Sequence, residues 1–149
     1  MAKTALVSAC LLGLATRYDG SDNLSPQVVS YLKQKHLIPI PVCPEQLAGM
    51  PTPRPKCWFT GGDGNAVLEG SGRICDEHGQ DTTAAFVRAA KEIYRIAELT
   101  GCKLAILKQR SPSCGSRTVH CNGKLISGMG VTAAMLQNEG LEILSEEDL

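Results

Sequence analysis

Three short apolar runs each lead into a cysteine. Ala5-Leu6-Val7-Ser8 leads to Cys10, Leu37-Ile38-Pro39-Ile40-Pro41-Val42 to Cys43, and Leu104-Ala105-Ile106-Leu107 to Cys114. Runs of this length, bounded by loop-forming residues, read as buried strands. Helical patterns lie between them, and strands alternating with helices predict a parallel sheet with helices on its faces. Right-handed crossovers would then line the three cysteine loops along one sheet edge. In open α/β sheets that carboxyl edge is where ligands bind. The expected fold class is α/β, a three-layer sandwich around a mostly parallel sheet of about four strands, Rossmann-like, with residues 1–149 as one domain.

The helical patterns are specific. Ser25 is a natural N-cap with Pro26 at the first helical position, and Val28, Val29 and Leu32 form a buried stripe ending near His36. A longer helix starts at Asp81 or Thr82, repeats Phe86, Ala90, Ile93 and Ala97, and stops at Gly101. Arg88 and Glu92 are spaced to pair on its wet face. A last helix opens at Gly128-Met129-Gly130 and ends at Gly140, before a final strand over Leu141–Leu144 and a solvated Ser-Glu-Glu-Asp-Leu close. The two prolines in 37–42 each remove a ladder donor, which predicts a short, irregular or edge strand. The Gly- and Pro-rich stretch from Gln46 to about Asp81 predicts an ordered excursion, with a small hairpin pairing Ala66–Leu68 with Ser71–Ile74.

Fifteen basic residues balance fifteen acidic ones, and no basic helix stands out. The balance excludes nucleic acid as a bulk partner and a membrane surface, and favours a small neutral or weakly polar ligand. Val7-Ser8-Ala9-Cys10 has the look of a lipoprotein signal end, but only nine residues precede Cys10. Secretory signals need about 15–30 residues, so the expected location is cytoplasmic. Seven cysteines without a C-x-x-C pair disfavour zinc ribbons, thioredoxin-type redox pairs and local ferredoxin runs. An odd count also disfavours a disulfide framework.

Thiolates suit iron–sulfur clusters, zinc or copper(I), and three of them leave one metal corner open. A free cysteine taken alone is more often a small buried hydrophobe than a ligand, a strong reading for Cys102 and a fair one for Cys57, Cys75 and Cys121. Cys10, Cys43 and Cys114 differ in following strands and sitting among loop formers. Glu45, two residues past Cys43, could activate water, or could simply open a helix after Pro44. Ser111 and Ser113 could bind a ligand or satisfy their own turn. Arg54 could hold an anion or be solvated, and the helix start at Gly130 could meet a polar substrate group.

Several stretches, taken in order, resemble the thiouracil desulfidase family. They are Ser8-Ala9-Cys10-Leu11-Leu12-Gly13, Arg17-Tyr18-Asp19-Gly20, Cys43-Pro44-Glu45 running into Pro51-Thr52-Pro53-Arg54, Ser111-Pro112-Ser113-Cys114-Gly115, and Gly128-Met129-Gly130-Val131-Thr132-Ala133. The resemblance implies a [4Fe-4S] cluster on Cys10, Cys43 and Cys114, with the fourth iron not ligated by protein. It implies removal of sulfur from a thiolated base or nucleoside, with Glu45 as acid/base and Ser111 as a substrate contact. Gln46-Leu47-Ala48-Gly49 departs from the more glycine-rich run frequent in that family, which bears on pocket shape. Competing expectations are a non-catalytic iron–sulfur or zinc-binding accessory module, a redox-sensing thiol protein acting through Cys114, and a sulfur-inserting transferase.

Overall fold

The computed structural model describes residues 2–149. Its first sheet is built from β1 (Lys3–Ser8), β2 (Leu37–Val42), β5 (Leu104–Leu107) and β8 (Glu142–Ser145), all parallel, in the order β2-β1-β5-β8. Side chains alternate across a strand, and here both sides are covered. Ala5, Val7 and Ile106 pack on Val28 and Leu32 of α1 (Pro26–Gln34). Leu6, Ala105 and Leu107 pack on Ile93 and Ala97 of α4 (Thr83–Thr100), and on Ala133, Ala134 and Leu136 of α5 (Val131–Asn138). The three layers expected from the sequence are present, and β2 is an edge strand.

The helix ends follow their local chemistry. The Ser25 hydroxyl accepts from the Val28 N–H, with Pro26 opening α1. Gly101 closes α4 in the left-handed conformation, φ 69°, as its position after the last periodic residue predicted. Arg88 does not pair with Glu92 but donates to the Ala48 carbonyl at 3.4 Å.

A second four-stranded sheet corrects the reading of 46–81. β3 (Cys57–Gly61) pairs antiparallel with β4 (Arg73–Asp76) and parallel with β6 (Thr118–Cys121), and β6 turns through Asn122-Gly123 into β7 (Lys124–Ser127). Ala66–Leu68 is not a hairpin arm. It lies in α3 (Gly64–Glu69), capped by the Asp63 carboxylate on the Ala66 N–H and closed by Gly70 at φ 93°. Phe59, Ile74 and Val119 of this sheet bury against Phe86 and Ala90 of α4 and Val131 of α5. The 18 residues of α4 span about 27 Å, so its first half packs on the second sheet and its second half on the first.

The closing residues are also not simply solvated. They form a 3-10 turn, Glu146–Asp148, whose carboxylates pair with Lys108, Arg110 and Arg117 of the loop after β5. Among the described residues no helix is long and apolar enough to cross a membrane.

Candidate active site

The carboxyl ends of β1, β2 and β5 open onto a cavity of about 830 Å³. Cys10, Cys43 and Cys114 all line it, as do Glu45, Arg54, Ser111 and Ser113. Each thiol arrives on a different local structure. Cys10 lies in the 3-10 turn Ala9–Leu12 that follows β1, with the Asn23 side-chain amide donating to its sulfur at 3.6 Å. Cys43 precedes the single turn of α2 (Pro44–Leu47), its thiol directed at the Thr16 carbonyl at 3.8 Å. Cys114 sits in the loop leaving β5, with the Ser113 hydroxyl 3.7 Å from its sulfur.

The Cys114 loop is organised by its own polar atoms. Ser111 Oγ accepts the N–H groups of Ser113 and Cys114, each at 3.2 Å, and lies 3.0 Å from Ser113 Oγ. Gly115 donates to the Ser111 carbonyl at 2.9 Å. A side chain at Gly115 would come within 2.7 Å of the Thr118 carbonyl, so only glycine fits that bend. Gly130 does not reach the cavity wall. It packs under this loop, where a Cβ would overlap the Ser113 backbone. Its N–H donates to Gly115, while Val131 and Ala133 donate to Pro112 and Ser113. The helix start expected to meet a substrate instead holds the cysteine loop.

Glu45 and Arg54 form a pair. Arg54 Nε donates to Glu45 Oε1 at 3.1 Å, with the two side chains only 3% and 14% exposed. The other guanidinium nitrogens donate to Thr52 Oγ1 at 2.8 Å, Pro51 O at 3.4 Å and Thr16 O at 2.8 Å. Arg54 is thus neither solvated nor free to clamp a separate anion. It fixes a carboxylate whose Oε2 has no protein hydrogen-bond partner among the described residues.

Burial dominates the electrostatics of the thiols. Desolvation pushes Cys114 up to about 12, with hydrogen bonds from Ser8 and Ser113 opposing it and the neighbouring Cys10 and Cys43 reinforcing it. Cys10 is also raised by burial, against the lowering effects of Asn23 and Lys108. These thiols stay protonated near neutrality unless a cationic centre displaces the proton. No three His, Cys, Asp or Glu side chains among the described residues stand close enough to share a single metal ion. Ligands of a cubane bind separate irons, so their sulfurs stand further apart, and convergence on one cavity is what such a cluster requires. Cys57 lines the chamber as well, from the second sheet, while Cys10, Cys43 and Cys114 reach it from the carboxyl ends of the parallel strands; soft thiolates in this arrangement suit an iron–sulfur cluster.

A family model described as 2-thiouracil desulfurase matches residues 5–148. The chain belongs to that family. The sequence is 37% identical over 147 residues to the uncharacterized protein YbbK of Bacillus subtilis strain 168, a match covering 97% of this chain and 96% of that protein. Its fold is similar to the [4Fe-4S]-dependent thiouracil desulfidase TudS, with a TM-score of 0.80 and 33% sequence identity, covering 99% of this chain and 93% of that structure. Within this family member, sequence reasoning did not place Tyr18, Cys57, Trp58, Lys108 or Gln109 at the cavity, and all five line it. Trp58 belongs to the unforeseen second sheet. Gln109 carries no sequence signal, because an amide in a loop ordinarily reads as solvated.

Proposed function

We propose that this protein removes sulfur from a thiolated nucleobase such as thiouracil, replacing it with oxygen from water. The observation that carries the reading is the convergence of Cys10, Cys43 and Cys114 on one cavity that also holds the Arg54-paired carboxylate of Glu45. When bound by those three cysteines, a [4Fe-4S] cluster supplies one iron without a protein ligand, a Lewis acid matched to the soft sulfur of a thiocarbonyl.

The chain's own residues do the rest. Arg54 holds Glu45 through Oε1, and this carboxylate at the chamber wall accepts a proton from the incoming water. Ser111 and Ser113 are already tied into the loop, so their hydroxyls present a fixed edge that orients the base. The balance is C=S plus water giving C=O plus hydrogen sulfide, with no change of oxidation state.

The test is sulfide release from 2- and 4-thiouracil by protein purified and reconstituted without oxygen. Activity with the wild type, and its loss in Glu45→Gln with iron retained, is the expected result. A cluster-loaded protein that releases no sulfide from any thiobase would remove this chemistry and leave a binding module.

A further inference from the structure

Gln109 is 2% exposed, among the largest fully buried side chains of the protein, and it is polar. Its side-chain oxygen accepts the backbone N–H groups of Ser116 at 3.0 Å, Arg117 at 3.0 Å and Thr118 at 3.2 Å, with Arg110 further away at 3.4 Å. Its Nε2 donates to Ser116 Oγ at 2.9 Å. Its own N–H donates to Glu146 Oε1 at 2.8 Å, which ties the residue to the C-terminal turn.

Three successive N–H groups aimed at one point form a nest of the kind that captures anions elsewhere. Here a neutral amide oxygen from the same loop fills it. Arg110 stands where the loop leaves β5, and Ser116 to Thr118 stand where it returns. Cys114 lies between the two arms. This one oxygen therefore ties the two arms of the loop that carries the thiol, beside the backbone bridge between Arg110 and Val119, and it does so with a neutral group near Lys108, Arg110 and Arg117.

We infer that Gln109 is the positioning residue for Cys114: its amide oxygen sets the loop register that keeps this sulfur facing the chamber shared with Cys10 and Cys43. The inference rests on the reading of Cys114 as a cluster ligand, but not on the desulfidase reaction. Removing the oxygen leaves several N–H groups without an acceptor and loosens the returning arm of the loop, which then leans on the Arg110–Val119 bridge alone. Shortening the side chain by one methylene has the same consequence, because the oxygen no longer reaches both arms. A carboxylate at 109 keeps the acceptor, can take the Ser116 hydroxyl as a donor in place of the present bond, and adds a charge that the cations of the same loop, Lys108, Arg110 and Arg117, offset.

The experiment compares full-length wild type, Gln109→Leu, Gln109→Asn, Gln109→Glu and Ser116→Ala, reconstituted without oxygen and without substrate. The readouts are iron and sulfide per chain, the rate of iron release to a chelator, and the low-temperature EPR spectrum of the reduced cluster. Circular dichroism and urea midpoints of the metal-free proteins run in parallel. The expected result is several-fold faster iron release and an altered spectrum in Q109L and Q109N, with Q109E and S116A close to wild type. Q109N carries the test if Q109L does not fold. Wild-type release and spectra in Q109L or Q109N would overturn the inference. So would iron loss in all four variants that merely tracks their urea midpoints, or a wild type that holds no cluster. A wild type that holds the cluster yet releases no sulfide from thiobases overturns the proposed reaction alone.

Discussion

The Cys43 and Cys114 walls of the chamber are held by different forces. Around Cys43 the fixing element is ionic. Arg54 joins Glu45 to the carbonyls of Thr16 and Pro51, drawing three segments of chain to one buried guanidinium. Around Cys114 the bonds nearest the sulfur are neutral, and the ion pairs of Lys108, Arg110 and Arg117 with the C-terminal turn act further out on the same loop. Ser111 Oγ, the Gln109 amide and the carbonyls over the start of α5 satisfy backbone donors, and Gly115 and Gly130 let main chain approach main chain. The contrast separates two tasks. A charge placed by another charge can move a proton, whereas a loop placed by backbone dipoles fixes where a sulfur stands without adding charge beside it.

If that division holds, substitutions on the two walls fail differently. The largest effect is expected from Cys114→Ala, which should abolish iron retention, while Cys75→Ala on the second sheet leaves iron per chain unchanged. Glu45→Gln should keep iron and lower kcat by roughly 10²–10⁴-fold, the usual range for a positioned general base. Loss of iron in that variant would break the comparison at once. Arg54→Met strands a nearly buried carboxylate and should cost about 3 kcal/mol in urea unfolding.

Raising the pH sharpens the neutral wall. In metal-free protein burial raises the Cys114 thiol from 9.0 to about 12, which favours the protonated form in the fold. That contribution is fully present below the unfolded thiol's pKa and is lost as pH rises through the folded value. The urea midpoint of the reduced, metal-free protein should therefore fall with pH above 9.0, and cluster loading should lessen that fall because the bound sulfur is already a thiolate, leaving the part that belongs to Cys57, also pushed up to about 12 by burial. The smallest effect belongs to Glu147→Gln. Its pair with Arg110 is 40% and 39% exposed, so the change should be under about 1 kcal/mol and vanish at high salt.

The parallel sheet was legible because its strands are short apolar runs, the central β1 and β5 buried on both faces, set between helices with readable ends. Ser25-Pro26 and Gly101 mark their boundaries in the letters alone. The second sheet was not legible, because its strands are four or five residues long and mix polar with apolar positions. They gain their burial from α4 and α5, which no local window contains. One signal was available there: Asp63 and Gly70 bracket Gly64–Glu69 as cap and stop, which favours a short helix over a hairpin arm. At the site, the three cysteines and Glu45 could be nominated from their places after strands. The partnership of Arg54 could not, because it depends on a carbonyl 38 residues away in the chain.

The outer strand of the parallel sheet has a consequence for how the molecule lives among its copies. β2 keeps its register with β1 over all six residues, and Pro39 and Pro41 share one side of it. The hydrogens these residues lack must then be missing from the side turned away from β1. A foreign strand laid along that border would meet carbonyl oxygens with too few donors to answer its own. The strand that delivers Cys43 thereby resists recruitment into an aggregate.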